Sequence, residues 1–178
     1  MEREIARIST AEIIAAVRAT DAPWWLQQVI AASVRAPSRR LGTLLTRFDA
    51  EIGRVGMGVA ASRFMRSMGA RVEVLGAPPR GSALVVMNHP GAYDALSLMA
   101  ALERDDVRFL ARDRRFLRSL PHLSTRMIFV SATGLRAAVR HLARGGVVVQ
   151  LGAGAIEPDA RFSDAPLAEW PEGTGWLA

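Results

Sequence analysis

Short apolar runs alternate along this chain with longer stretches in which apolar residues recur every three or four positions. The runs Ala83–Met87, Val107–Ala111, Met127–Val130 and Val147–Leu151 are rich in β-branched and aromatic residues and are bounded by polar, Gly or Pro positions, which reads as buried strands. Arg71–Leu75 alternates polar and apolar residues and is expected to be a further strand. Between them, Ala95–Leu102 and Gly134–Arg144 carry helical periodicity, the second with Leu135, Val139 and Leu142 on one side. Strands alternating with helices predict an α/β fold: a central, mostly parallel sheet flanked by helices.

The first 70 residues read differently, as helices only. Ser9-Thr10-Ala11-Glu12 has the form of a capping box ahead of Ile13, Ile14 and Val17. Asp21 and Pro23 suit the start of a second helix, opened by Trp24 and Trp25. Pro37 is expected to end it and Ser38 to cap a third, running to about Met68 with Gly69 as its stop. Gly42, Gly53, Gly56 and Gly58 are costly inside a helix, so they predict either a break near Gly53 or close packing against another element. The expected division is therefore 1–70, an N-terminal helical segment packed on the domain, and 71–178, the α/β core.

Composition narrows the chemistry. Half of the 178 residues are hydrophobic, enough for one domain with a core. The absence of Cys removes disulfides, thiolate metal sites and a Cys nucleophile. Only three His are present and no spacing suggests a metal site. All 23 basic residues are Arg, which excludes the lysine-dependent phosphate loop, and the net charge is +6. Guanidinium groups suit phosphates and carboxylates, but this charge does not by itself separate nucleic acid, anionic lipid and a phosphorylated cofactor. Neither a helix-turn-helix pattern nor interleaved stacking aromatics accompanies it, so nucleic acid is not the expected partner. No secretory signal opens the chain and no apolar stretch is long enough to span a bilayer, which predicts a cytoplasmic protein, soluble or peripheral.

Chemistry concentrates where the run Ala83–Met87 ends. Asn88-His89 follows it, Pro90-Gly91 reads as a turn, and Asp94, separated from His89 by four residues, comes just ahead of the next helical run. A tight turn of this length can aim the carboxylate at one imidazole nitrogen, leaving the other to take a proton from a hydroxyl. The plainer alternative is a surface pair or a strand cap. Two further stretches are candidates for anion binding. Arg112, Arg114, Arg115 and Arg118 form the densest basic patch, which otherwise serves as a solvated helix face. Gly152-Ala153-Gly154 turns after Val147–Leu151, where backbone N–H groups can approach an anion.

Asn88-His89-x4-Asp94 after a hydrophobic strand resembles the glycerolipid acyltransferases, the lysophosphatidic-acid and glycerol-phosphate acyltransferase-like family, from about Arg47 to the C-terminus. The resemblance implies that His89 is the general base on an acceptor hydroxyl and that Asp94 orients it. It also implies acyl-CoA or acyl-carrier protein as the thioester co-substrate, no permanently bound cofactor, a glycerolipid-type acceptor and a place in phospholipid biosynthesis. Asn88, Gly91, Arg112, Arg115, Gly152, Gly154 and Glu157 are the residues expected to bind substrate, with backbone N–H groups near Gly91 and Gly152–Gly154 as oxyanion donors. Peripheral contact with the inner membrane surface is expected, through a platform in which Trp24 and Trp25 lie at headgroup depth with Arg35, Arg39 and Arg40 beside them.

The sequence also departs from the family pattern. Ser131-Ala132 stands where a strand-ending arginine is expected, and Arg126 and Arg136 are out of register. Leu151-Gly152-Ala153-Gly154 replaces Phe-Pro-Glu-Gly, with Glu157 the nearest carboxylate. Pro171-Glu172-Gly173-Thr174 lies too far downstream to substitute, and the fourth motif does not appear, as expected of a short or truncated form. The alternative to an active acyltransferase is a catalytically impaired lipid- or CoA-binding domain on the same scaffold. A serine hydrolase is disfavoured, because no serine sits in a nucleophile elbow.

Overall fold

The computed structural model describes residues 2, 4–8, 23–89, 91 and 93–152. Four strands form one parallel sheet: β1 (Ala83–Met87), β2 (Val107–Ala111), β3 (Met127–Phe129) and β4 (Val147–Leu151), in the spatial order β1-β4-β2-β3. The last strand thus inserts between the first two. Its Val147, Val148 and Val149 are fully buried, as expected for a central parallel strand covered on both sides.

The chain runs from β1 to β2 through α3 (Asp94–Leu102), and from β2 to β3 through the short helices α4 (Arg115–Arg118) and α5 (Pro121–Ser124). It returns to β4 through α6 (Ala132–Ala143). Right-handed crossovers in opposite directions put α6 on one face and α3 to α5 on the other. The second face is also covered by α1 (Trp24–Val55) and α2 (Met57–Ser67). There Val107, Phe109, Val147 and Val149 share a core with Phe48, Ile52, Met57, Met99 and Leu102, joined by Ile5 from a helical turn at residues 4–8.

The four central runs are strands as the pattern predicts, and the architecture is the expected α/β one with N-terminal helices. Three local expectations are corrected. Pro37 does not end a helix: α1 continues through it for 32 residues. Pro37 and Ser33 are exposed, so solvent can reach the carbonyl whose donor the proline removes. Ser38 is accordingly a buried position within the helix, 1 % exposed, and not a cap.

The break expected near Gly53 falls at Gly56, with φ +84°. Gly53 instead packs beneath the His122 ring, while Gly58 lets α2 approach the Met99 carbonyl and Glu103 backbone. Gly69, with φ +77°, does stop α2: its N–H donates to the Arg66 carbonyl and the Ala70 N–H to that of Met65, closing the helix in a Schellman motif.

Arg71–Leu75 is not a strand. Val72 packs against the core, but Leu75 is 90 % exposed, and alternation without a ladder to join leaves the segment extended and unpaired in the sheet. The proposed capping box at Ser9–Glu12, and Asp21, lie outside the described residues.

The end of the sheet away from His89 is tied by one arginine. Arg104 donates to both Asp106 oxygens at 2.8 and 2.6 Å, to the Pro79 and Gly81 carbonyls at 2.6 and 2.9 Å, and to that of Gly145 at 3.2 Å. These contacts join the entries to β1, β2 and β4. The Arg104 guanidinium holds the Asp106 carboxyl below the usual carboxylate range, chiefly by hydrogen bonding, against an opposing effect of burial. Deeper inside, Asp49 of α1 is 1 % exposed, and its Oδ1 accepts the Leu123 N–H of α5 at 2.8 Å.

Candidate active site

β1 ends at Met87, and the chain leaves the sheet through Asn88 and His89, both half-buried. Asp94 is the first residue of α3, with Tyr93 at the N-cap. A carboxylate there also interacts favourably with the positive end of the helix. The turn brings the two side chains together: His89 Nδ1 donates to Asp94 Oδ2 at 2.9 Å. The same oxygen accepts the Gly91 N–H at 2.7 Å. Asp94 therefore grips both the ring and the turn that carries it. The side chains are 22 % and 15 % exposed, so the pair is sheltered but within reach of solvent.

This arrangement fixes a tautomer. With its proton on Nδ1 directed at a carboxylate, the ring's basic nitrogen is Nε2, and any positive charge it gains is balanced by Asp94. An imidazole oriented by a carboxylate in this way can accept a proton from a hydroxyl and later return it.

β4 completes the floor. Leu151 is in register with Met87, and the Gly152 N–H donates to the Met87 carbonyl at 2.6 Å. Gly152 thus lies at the same sheet end as His89, but its N–H is engaged in extending the ladder. The Gly91 N–H is likewise engaged, with Asp94. Neither of these two amides is open to an oxyanion in this arrangement, a point that spacing alone did not show. Gly154 and Glu157 lie outside the described residues.

Arg112 directly follows β2, two strands from β1 at the same sheet end, or about 10 Å away at the usual strand spacing. Arg112 and Arg115 are both exposed. Arg118 is committed to structure: it forms a bidentate pair with Asp113, both bonds 2.9 Å, and stacks 4.0 Å from the Phe129 ring centroid. The basic patch is thus divided, with Arg118 tethered and Arg112, Arg114 and Arg115 facing solvent. At the end of β3, Ser131 caps α6 by accepting the Gly134 N–H at 3.0 Å. A helix cap therefore occupies the place where the family resemblance expects an arginine.

The backbone at Trp24 and Trp25 is helical, and their side chains lie outside the described residues. Arg35, Arg39 and Arg40 on the same helix are exposed, as are Val29 and Leu41, at 58 % and 40 %. Among the described residues no helix is long and apolar enough to cross a membrane. No family model, curated protein or solved structure matches this chain.

Proposed function

We propose that the protein is an acyltransferase that moves a fatty acyl group from acyl-CoA or an acyl-carrier protein to a hydroxyl of a glycerolipid-type acceptor. The observation that carries this reading is the 2.9 Å contact between His89 Nδ1 and Asp94 Oδ2 at the end of β1, with the Gly91 N–H holding the same oxygen. In the reaction, His89 Nε2 takes the acceptor's hydroxyl proton as the oxygen attacks the thioester carbonyl carbon. The tetrahedral intermediate collapses, the C–S bond breaks, and the imidazolium returns its proton to the leaving thiolate. Products are an ester and a free thiol, and no acyl-enzyme forms.

The exposed arginines and apolar residues on the N-terminal half of α1 support a peripheral role at the inner membrane surface, where acceptor and acyl chain would both be found. A second reading is a catalytically impaired lipid- or CoA-binding domain. It is favoured by the engagement of the Gly91 and Gly152 N–H groups within the framework, which removes two candidate oxyanion donors. Thiol release from a labelled acyl-CoA, in the presence of a mixed lipid acceptor extract, separates the two. Acyl transfer predicts acceptor-dependent thiol release and a labelled ester; the binding-domain reading predicts neither.

A further inference from the structure

The helical turn at residues 4–8 is anchored in the fold. Ile5 is fully buried in the main core, and Ala6 and Ile8 are each 8 % exposed. The turn's outer side and the α4 region form the walls of an open cleft lined by Glu4, Arg7, Asp113, Arg115, Arg118 and Ser119. The cleft holds about 790 Å³, the size of a small-molecule site. It adjoins the segment that follows β2, at the same sheet end as His89.

Charge in the cleft is unevenly committed. Asp113 is engaged by Arg118, which is also stacked on Phe129, so this pair forms a fixed wall. Ser119 Oγ donates to the Phe116 carbonyl at 2.7 Å. Arg7 and Arg115, one from each wall, are exposed, and their side chains make no hydrogen bond or ion pair among the described residues. Glu4 is the only other carboxylate in the lining. Two uncommitted guanidiniums on opposite walls of a cleft this large suit a ligand with more than one phosphate, because each planar fork can take a phosphate oxygen pair.

We propose that this cleft binds the phosphate groups of a nucleotide-type small molecule, with Arg7 and Arg115 closing on it from the two walls. Its identification as the carrier end of a CoA thioester rests on the acyl-transfer reading; the phosphate binding itself does not. The separation of the two places along one sheet end fits a ligand whose phosphates and reactive end are joined by an extended linker.

Calorimetric titration of the full chain with free CoA, adenosine 3′,5′-bisphosphate and inorganic pyrophosphate tests this, with flotation on anionic vesicles in parallel. Arg7→Gln and Arg115→Gln should each weaken CoA by about tenfold, the loss of one charge-assisted contact. Glu4→Gln should tighten it, and Arg144→Gln, exposed just past the end of α6, should leave it unchanged. Melting curves check that each variant is folded. His89→Ala should keep full CoA affinity whatever happens to turnover, so failure of the cleft and failure of the acyl-transfer reading are told apart. Wild-type protein that does not bind CoA, or wild-type affinity in both Arg7→Gln and Arg115→Gln, overturns the proposal. So does a loss confined to vesicle binding, which would make the cleft a lipid-headgroup contact.

Discussion

Replacing Asp94 by Asn isolates the charge in the His89 pair. Asp94 Oδ2 accepts from His89 Nδ1 at 2.9 Å and from the Gly91 N–H at 2.7 Å. An asparagine can place its amide oxygen at the same point, so the fold and both contacts survive in neutral form. A hydrogen bond to a charged acceptor contributes about 1.5–3 kcal/mol and a neutral one about 0.5–1.5, so the two together should lose about 2 kcal/mol of stability. For a chain of this length that is a fall of about 4–8 °C in Tm. The effect on rate should be larger. The imidazolium formed during proton transfer would lose a carboxylate whose attraction is about 4 kcal/mol at 4 Å in a medium of intermediate dielectric. Partial solvent access reduces this, and a fall of about 10²- to 10³-fold in kcat/KM is expected. Nitrogen-15 NMR of the imidazoles gives a readout independent of any substrate: His89 should be protonated on Nδ1 in the wild type and mixed between tautomers in Asp94→Ala. A rate within about threefold of wild type in Asp94→Asn, or an Nε2-protonated ring in the wild type, would refute the reasoning.

Other outcomes follow from the framework. Pro37→Ala should raise Tm, since it restores an N–H within α1 and removes a ring from the helix interior, a gain of up to about 3 kcal/mol; an unchanged or lower Tm would show that the helix does not run through this point. Asp49→Ala strips the buried Leu123 N–H of its acceptor and should cost about 1–3 kcal/mol in urea melts, whereas a neutral result would mean that water replaces the carboxylate. Asp106 has a depressed folded-state pKa, so its stabilising contribution is present above the unfolded value of about 3.9 and is lost as pH falls through the lower folded value. Asp106→Asn should therefore be less stable than wild type near neutrality and lose less on acidification; parallel stability–pH curves would contradict the Arg104–Asp106 account.

Local chemistry made part of this structure legible in advance. Val147–Leu151 and Val107–Ala111 are runs of β-branched and apolar residues between turns, and such runs have few stable settings other than a covered sheet. His89 and Asp94 were readable because Pro90-Gly91 in the sequence predicts a turn between a strand end and a helix start, which limits where the carboxylate can point. What stayed hidden depends on partners distant in sequence. The insertion of β4 between β1 and β2 leaves no mark on any one strand. Arg71–Leu75 has the alternation of a strand but joins no ladder, and Pro37 has the form of a helix stop but sits where water can donate to the exposed carbonyl. The bond from Leu123 to Asp49 spans 74 residues. The glycines after both strands were expected to offer N–H groups to an oxyanion; only the folded geometry shows that Asp94 and the Met87 carbonyl take two of them. Arg7 gave no motif at all, because its relation to Arg115 exists only across the cleft.

The proposed role of His89 as the base in acyl transfer is tested most directly by acceptor-dependent thiol release from a labelled acyl-CoA, measured for wild type and for His89→Ala confirmed folded by its melt. General-base catalysis predicts that wild type releases thiol in step with the appearance of labelled ester. It also predicts that His89→Ala is slower by at least about 10²-fold. Equal thiol release by the two proteins, or none by wild type with any acceptor in the extract, would contradict it.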